Sequence, residues 1–131
     1  VGAASMYEAL DLFDKAQRLY EKALDMGGPD DHLRARALWG SLRLAKRLRN
    51  WDGCLHCATA LAGVQAPEPE AWIEIAKHHE HRSRDLHLAL EASLAALDLL
   101  NAAVDLPPGR RDRLRSDLQH RIRRLRRRIG S

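Results

Sequence analysis

Two short clusters hold the side chains best able to do chemistry. Cys54-Leu-His-Cys57 has the spacing of a metal-binding or redox-active cysteine pair. A structural zinc site takes four ligands, usually from two such pairs, and these are the chain's two cysteines. A redox pair of this spacing normally opens a helix that follows a strand, and no strand-forming run precedes Cys54. Both cysteines are therefore read as small apolar packing residues. In His78-His-Glu-His81, His78 and His81 share a helix face, with Glu74 one turn before His78. That is the outline of a facultative metal patch. It is not the zinc-protease arrangement His-Glu-x-x-His, because no histidine follows at the required position. Glu80 and His81, with Arg82, are instead expected to fasten their helix to its neighbours.

The remaining feature is charge. Residues 110–131 hold ten arginines against two aspartates, for +8, while residues 1–109 sum to −4. Leu114, Leu118, Ile122, Leu125 and Ile129 recur every three or four residues, so this segment reads as a helix with one apolar stripe flanked by arginine. The stripe implies a helix that caps whatever precedes it. Arg121, Arg123, Arg124, Arg126, Arg127 and Arg128 are the candidate contacts for nucleic acid or another polyanion, since a guanidinium grips phosphate with two donors. No aromatic residue is interleaved for base stacking, and the stripe lacks the Trp or Phe that anchors an interfacial membrane helix. No glycine-rich phosphate loop or nucleophile elbow occurs anywhere in the chain. The expectation is a protein without catalytic residues, cofactor or metal.

The elements that must position these groups are helices. Apolar residues make up 45 % of the 131 residues and charged residues 31 %, which is sufficient for a folded core. Good helix formers dominate, and β-branched or aromatic runs are missing. Segments 5–26, 30–49, 51–63, 69–83, 86–103 and 110–129 each show helical periodicity, separated by Gly27-Gly28-Pro29, Asn50, the 65–69 loop, the turn at Asp85 and Leu106-Pro-Pro-Gly109. No apolar run reaches the length of a membrane span. The reduced-looking cysteine pair suits a cytoplasmic protein.

Links this short favour antiparallel hairpins, and a repeat emerges on alignment. Leu38 and Trp72 lie 34 residues apart. Cys54 then falls on Leu88, or on Ala89 with one inserted residue. The small positions Ala16, Cys54 and Ala89 are each followed seven residues on by a second anchor, Ala23, Leu61 and Ala96. Tyr20 supplies the aromatic that the other two segments lack. These residues resemble the tetratricopeptide repeat, and Phe13-Asp-Lys-Ala-Gln-Arg-Leu-Tyr-Glu-Lys-Ala-Leu24 is similar to its second helix. The resemblance implies an all-α right-handed superhelix over about 5–103, capped by the basic helix 110–129, in a single domain with a groove for a protein or peptide.

A narrower resemblance covers the second half. Ile75-Ala-Lys-His-His-Glu-His-Arg82, followed by an aspartate and a helix and then by His120-Arg-Ile122, resembles the C-terminal helical domain of bacterial ribonuclease-H-like proteins of the YprB type. That resemblance implies an attached exonuclease-like domain outside this chain, and the start at Val1 is read as the cut edge of a longer protein. Two functions stay open: a scaffold for protein partners, or an accessory nucleic-acid contact through the Arg-rich helix.

Overall fold

The computed structural model describes residues 14, 15, 18, 31–64, 67–102 and 106–130. Among them every regular element is a helix: α1 (Asp31–Arg47), α2 (Trp51–Ala62), α3 (Pro69–His81), α4 (Leu86–Ala102) and α5 (Pro108–Gly130). The bounds follow the punctuation of the sequence. Pro69 and Pro108 stand where a first helical turn needs no N–H donor, and Gly63 closes α2 by donating its N–H to the Ala60 carbonyl. The helix expected over 5–26 lies outside the described residues except for Asp14, Lys15 and Arg18, which are helical. The repeat positions Ala16, Tyr20 and Ala23 lie outside them as well.

The chain divides into two compact units, Val1–Gln65 and Ala66–Ser131. In the first, α1 packs on α2. Leu38, Ser41, Leu42 and Ala45 are the buried face of α1, and Cys54, Cys57, Ala58 and Leu61 that of α2. In the second, α4 packs against both α3 and α5. Ala96, Leu100 and Leu118 form the centre of its core, with Trp72, Ile73, Leu97, Leu106 and Leu114 packed around them.

The α1–α2 and α3–α4 hairpins share several local features. Arg49 and Arg84 both adopt the left-handed conformation, with φ of 55° and 59°. The following residue caps the next helix: Asn50 Oδ1 accepts the Gly53 N–H at 3.1 Å, and Asp85 Oδ1 accepts the Leu88 N–H at 3.1 Å. Such caps each contribute roughly 1 kcal/mol. Cys54, Cys57, Ala58 and Leu61 then correspond to Ala89, Ala92, Ser93 and Ala96, all buried. Each pair is separated by 35 residues. Of the two counterparts that the sequence offers for buried Cys54, Ala89 is buried and Leu88 is 42 % exposed. In the first helices a 34-residue spacing superimposes buried Ser41 and Leu42 on buried Ile75 and Ala76. The extra residue lies in the turn, three residues long before α2 and four before α4. Of the remaining repeat positions, Leu38 is buried and Trp72 half-buried.

Candidate functional site

The direction of α5 is set by two charge contacts at opposite ends. Glu70, in the first turn of α3, pairs with Arg110 in the first turn of α5. Glu80, in the last turn of α3, pairs with Arg121 and Arg124 in the second half of α5. From Glu70 to Glu80 is about 15 Å of helix, and from Arg110 to Arg121 about 16 Å, at 1.5 Å per residue. Helices α3 and α5 thus run parallel. Helix α4 returns between them in sequence, and Asn101 near its end accepts from Arg115 of α5 at 3.2 Å.

Glu80 is the centre of this arrangement. It is a carboxylate only 2 % exposed, a position that charged groups occupy only when paired. Arg124 grips it as a fork, Nε to Oε2 at 2.9 Å and Nη2 to Oε1 at 2.8 Å. Arg121 Nη1 donates to Oε1 at 2.5 Å. Arg128 Nη1 lies 3.5 Å from Oε2, and His81 Nε2 3.8 Å from Oε1. Burial by itself pushes the Glu80 carboxyl up. The Arg124 hydrogen bonds and the charges of Arg124, Arg121 and His81 together outweigh it and hold the carboxyl below its ordinary value of 4.5. The hydrogen bond to Glu80, opposed by burial, raises the pKa of Arg124. Glu80 thus takes the fastening role read from the sequence.

The six candidate polyanion contacts consequently separate into two groups. Arg121, Arg124 and Arg128 recur at three- and four-residue spacing on the side of α5 that faces Glu80. Arg123, Arg126 and Arg127 are exposed on other sides of the helix. The buried stripe is Leu118, Ile122 and Leu125, with Leu114 and Ile129 half-buried.

Compared with family models, curated proteins and solved structures, the chain matches none. Its own geometry therefore carries the functional argument.

A groove of about 460 Å³ lies between α3 and α5. Ile73, Leu114 and Leu118 supply its apolar lining, Glu70, Glu74 and Lys77 line it from α3, and Asp117, His120 and Arg123 from α5. Glu74 is paired with Lys77. One Glu70 oxygen, Oε1, is buried with no hydrogen-bond partner among the described residues.

The other sequence candidates lie elsewhere. Cys54 and Cys57 are buried in α2 and are not joined in a disulfide. His78 and His79 meet edge to face with ring centroids 5.4 Å apart, and His79 Nδ1 is 2.8 Å from Ser83 Oγ. Among the described residues no group of three His, Cys, Asp or Glu is placed to hold a metal ion. No described helix is long and apolar enough to cross a membrane.

Three features were not read from the sequence: the Glu70–Arg110 pair, the arginines that meet Glu80, and the place of Arg82 and Arg84 at the same end of the unit as the α5 arginines. A signal for the second existed. Arg121, Arg124 and Arg128 form a stripe adjoining the apolar one, where long side chains can reach a carboxylate on a neighbouring helix.

Proposed function

We propose that this chain is a non-catalytic helical-repeat module of the tetratricopeptide type, whose task is to hold a protein or peptide partner. The similarity of the two hairpins carries the reading: a left-handed arginine, an Asn or Asp cap and four buried positions recur at a 35-residue interval. A unit that repeats its packing positions is built to stack on its neighbours, and stacked helix pairs present extended grooves. Helix α5, parallel to α3, packs on α4 and is read as the cap of the second unit. The groove between α3 and α5 has an apolar lining and charges of both signs, a composition suited to a short helix or extended peptide. The resemblance to the YprB-type proteins supports an accessory role beside a ribonuclease-H-like domain outside this chain, in a cytoplasmic protein.

The test is site-specific photo-crosslinking in cells. A photoreactive amino acid at Lys77, in the groove, should capture a defined protein species. The same probe at Glu91, exposed on α4 and outside the groove, should not. No adduct at Lys77, or the same adducts at both positions, would defeat the interaction reading.

A further inference from the structure

The parallel course of α3 and α5 concentrates charge in a way no single segment does. The last turns of α3, the turn after it, the start of α4 and the second half of α5 share one end of the second unit. Residues 75–94 and 118–130, which make up that end, hold nine lysines and arginines against three carboxylates, a net +6. The opposite end, residues 67–74, 95–102 and 106–117, holds four arginines against six carboxylates, a net −2. One of the three carboxylates at the positive end, Glu80, is buried among Arg121, Arg124 and Arg128 and offers nothing to solvent. A second, Asp85, caps α4 and keeps its charge, and the third, Glu91, is exposed on α4. The exposed cations outnumber the exposed carboxylates here: Arg84, Arg123 and Arg126 are exposed, as are Arg82 and Arg127.

We infer that this end is a docking surface for the sugar–phosphate backbone of nucleic acid, a role beyond holding a protein partner. The chemistry separates the classes of polyanion. Arginine supplies eight of the nine cations, and its planar fork matches phosphate oxygens. A membrane partner is disfavoured because the apolar stripe of α5, which would enter the lipid, is committed to the core at Leu118, Ile122 and Leu125. An acidic protein would need an apolar or aromatic anchor at the contact. Leu88 is the one described large apolar residue exposed at this end. No Phe, Tyr or Trp lies in 75–94 or 118–130, so bases are not stacked or read. Binding is to the backbone, indifferent to sequence and driven by release of counterions.

The 131-residue chain is titrated with a fluorescent 20-base-pair DNA duplex, its RNA counterpart and a second unrelated sequence, at salt from 50 to 200 mM. Each phosphate contact contributes about 0.9 to the slope of log affinity against log salt. The Arg123→Gln/Arg126→Gln variant should reduce that slope by about 1.8, so that its affinity drop across the range is about 12-fold smaller than the parent's. Adding Arg84→Gln should bring the difference to about 40-fold, which shows that the α3–α4 turn belongs to the surface. The control Arg113→Gln/Arg115→Gln removes the same charge from the opposite end and should leave the slope unchanged. An urea midpoint equal to the parent's verifies that each variant is folded, and Arg123→Gln alone, worth about 0.9 in slope, keeps the test open if a combined variant is not. No binding to either duplex at 50 mM salt overturns the inference, as does an equal loss from the control. Binding to anionic phosphatidylserine vesicles with the same arginine dependence, and not to duplex, assigns the surface to lipid instead. Failure here leaves the Lys77 crosslink untouched, so the two readings fall separately.

Discussion

Replacing Glu80 by Gln tests the centre of the second unit. The amide keeps the shape and one acceptor, but it removes the charge and sets an NH₂ donor against the guanidinium of Arg121 or Arg124. Hydrogen bonds to charged groups contribute roughly 1.5–3 kcal/mol; the bond at the remaining amide oxygen is kept, and the loss falls on a bond at the NH₂ end. The Arg121 side chain is 17 % exposed and regains little water, so its bond counts in full. Arg124 and Arg128, at 35 % and 43 %, rehydrate and count for less. The expected destabilisation is about 2 kcal/mol, below the 3–5 kcal/mol typical when one partner of a fully buried pair is deleted. In urea, with a denaturant slope of about 1–3 kcal/mol per molar, the midpoint should fall by roughly 1 M.

The pH dependence gives an independent reading. Folding lowers the Glu80 pKa, so below its ordinary value of 4.5 the unfolded chain binds more protons than the folded one. The contribution of Glu80 is therefore complete above 4.5 and lost as pH falls through the lower, folded value. The Glu80→Gln variant should lose less stability than the parent on acidification below 4.5, and the two curves should run parallel above it. A double-mutant cycle with Arg124→Gln should return a coupling of about 0.5–3 kcal/mol. A urea midpoint within about 0.2 M of the parent's, together with superimposable acid limbs, would refute the assignment of Glu80 as the fastener.

Other substitutions test the repeat. Asn50→Ala and Asp85→Ala should each cost about 1 kcal/mol in urea melts, because each removes the side-chain acceptor from a helix N-terminus. Ala89→Trp should destabilise the fold by about 1–3 kcal/mol or more through overpacking, whereas Leu88→Gln, one residue away and exposed, should stay within about 0.5 kcal/mol of the parent. Gly40→Ala should stabilise α1 by about 0.5–1 kcal/mol, since among the described residues a Cβ there meets only Arg43 Nη2, at 3.9 Å.

Local signals were legible in the sequence, and non-local ones were not. The helix spans could be read because proline, glycine and Asx residues stand at the ends of periodic stretches, and those signals act within one turn. Helix α3 ends two residues earlier than its periodicity suggests: the Arg82 and Ser83 N–H groups both bond the His78 carbonyl, and Arg84 turns left-handed. Whether Leu88 or Ala89 is the buried residue depended on one residue in a turn, which periodicity cannot count. Glu80 stood out as a member of Glu-His-Arg. Its partners sit 41 to 48 positions away, and only the parallel placement of α3 and α5 brings them together. The same placement adds Arg82 and Arg84 to a charge that the sequence appears to confine to the terminal helix.

The division of the arginines lets the structural and functional roles of this charge be measured against each other. Glu80 withdraws Arg121 and Arg124 from solvent, so it stabilises the fold and lowers the positive potential of the same end. Glu80→Gln therefore moves two quantities in opposite directions: stability falls, and net charge rises by one while two or three guanidinium groups are released. If the basic end docks phosphate backbone, this less stable variant should bind duplex with a steeper salt dependence, by up to about 0.9 for each arginine that gains a phosphate. Arg123→Gln should do the reverse, leaving the urea midpoint in place and flattening the slope by about 0.9. A destabilised Glu80→Gln chain with an unchanged or flatter slope would mean that the released arginines do not reach the ligand. The crossed pattern belongs to a surface whose charge is partly held in reserve by one buried carboxylate.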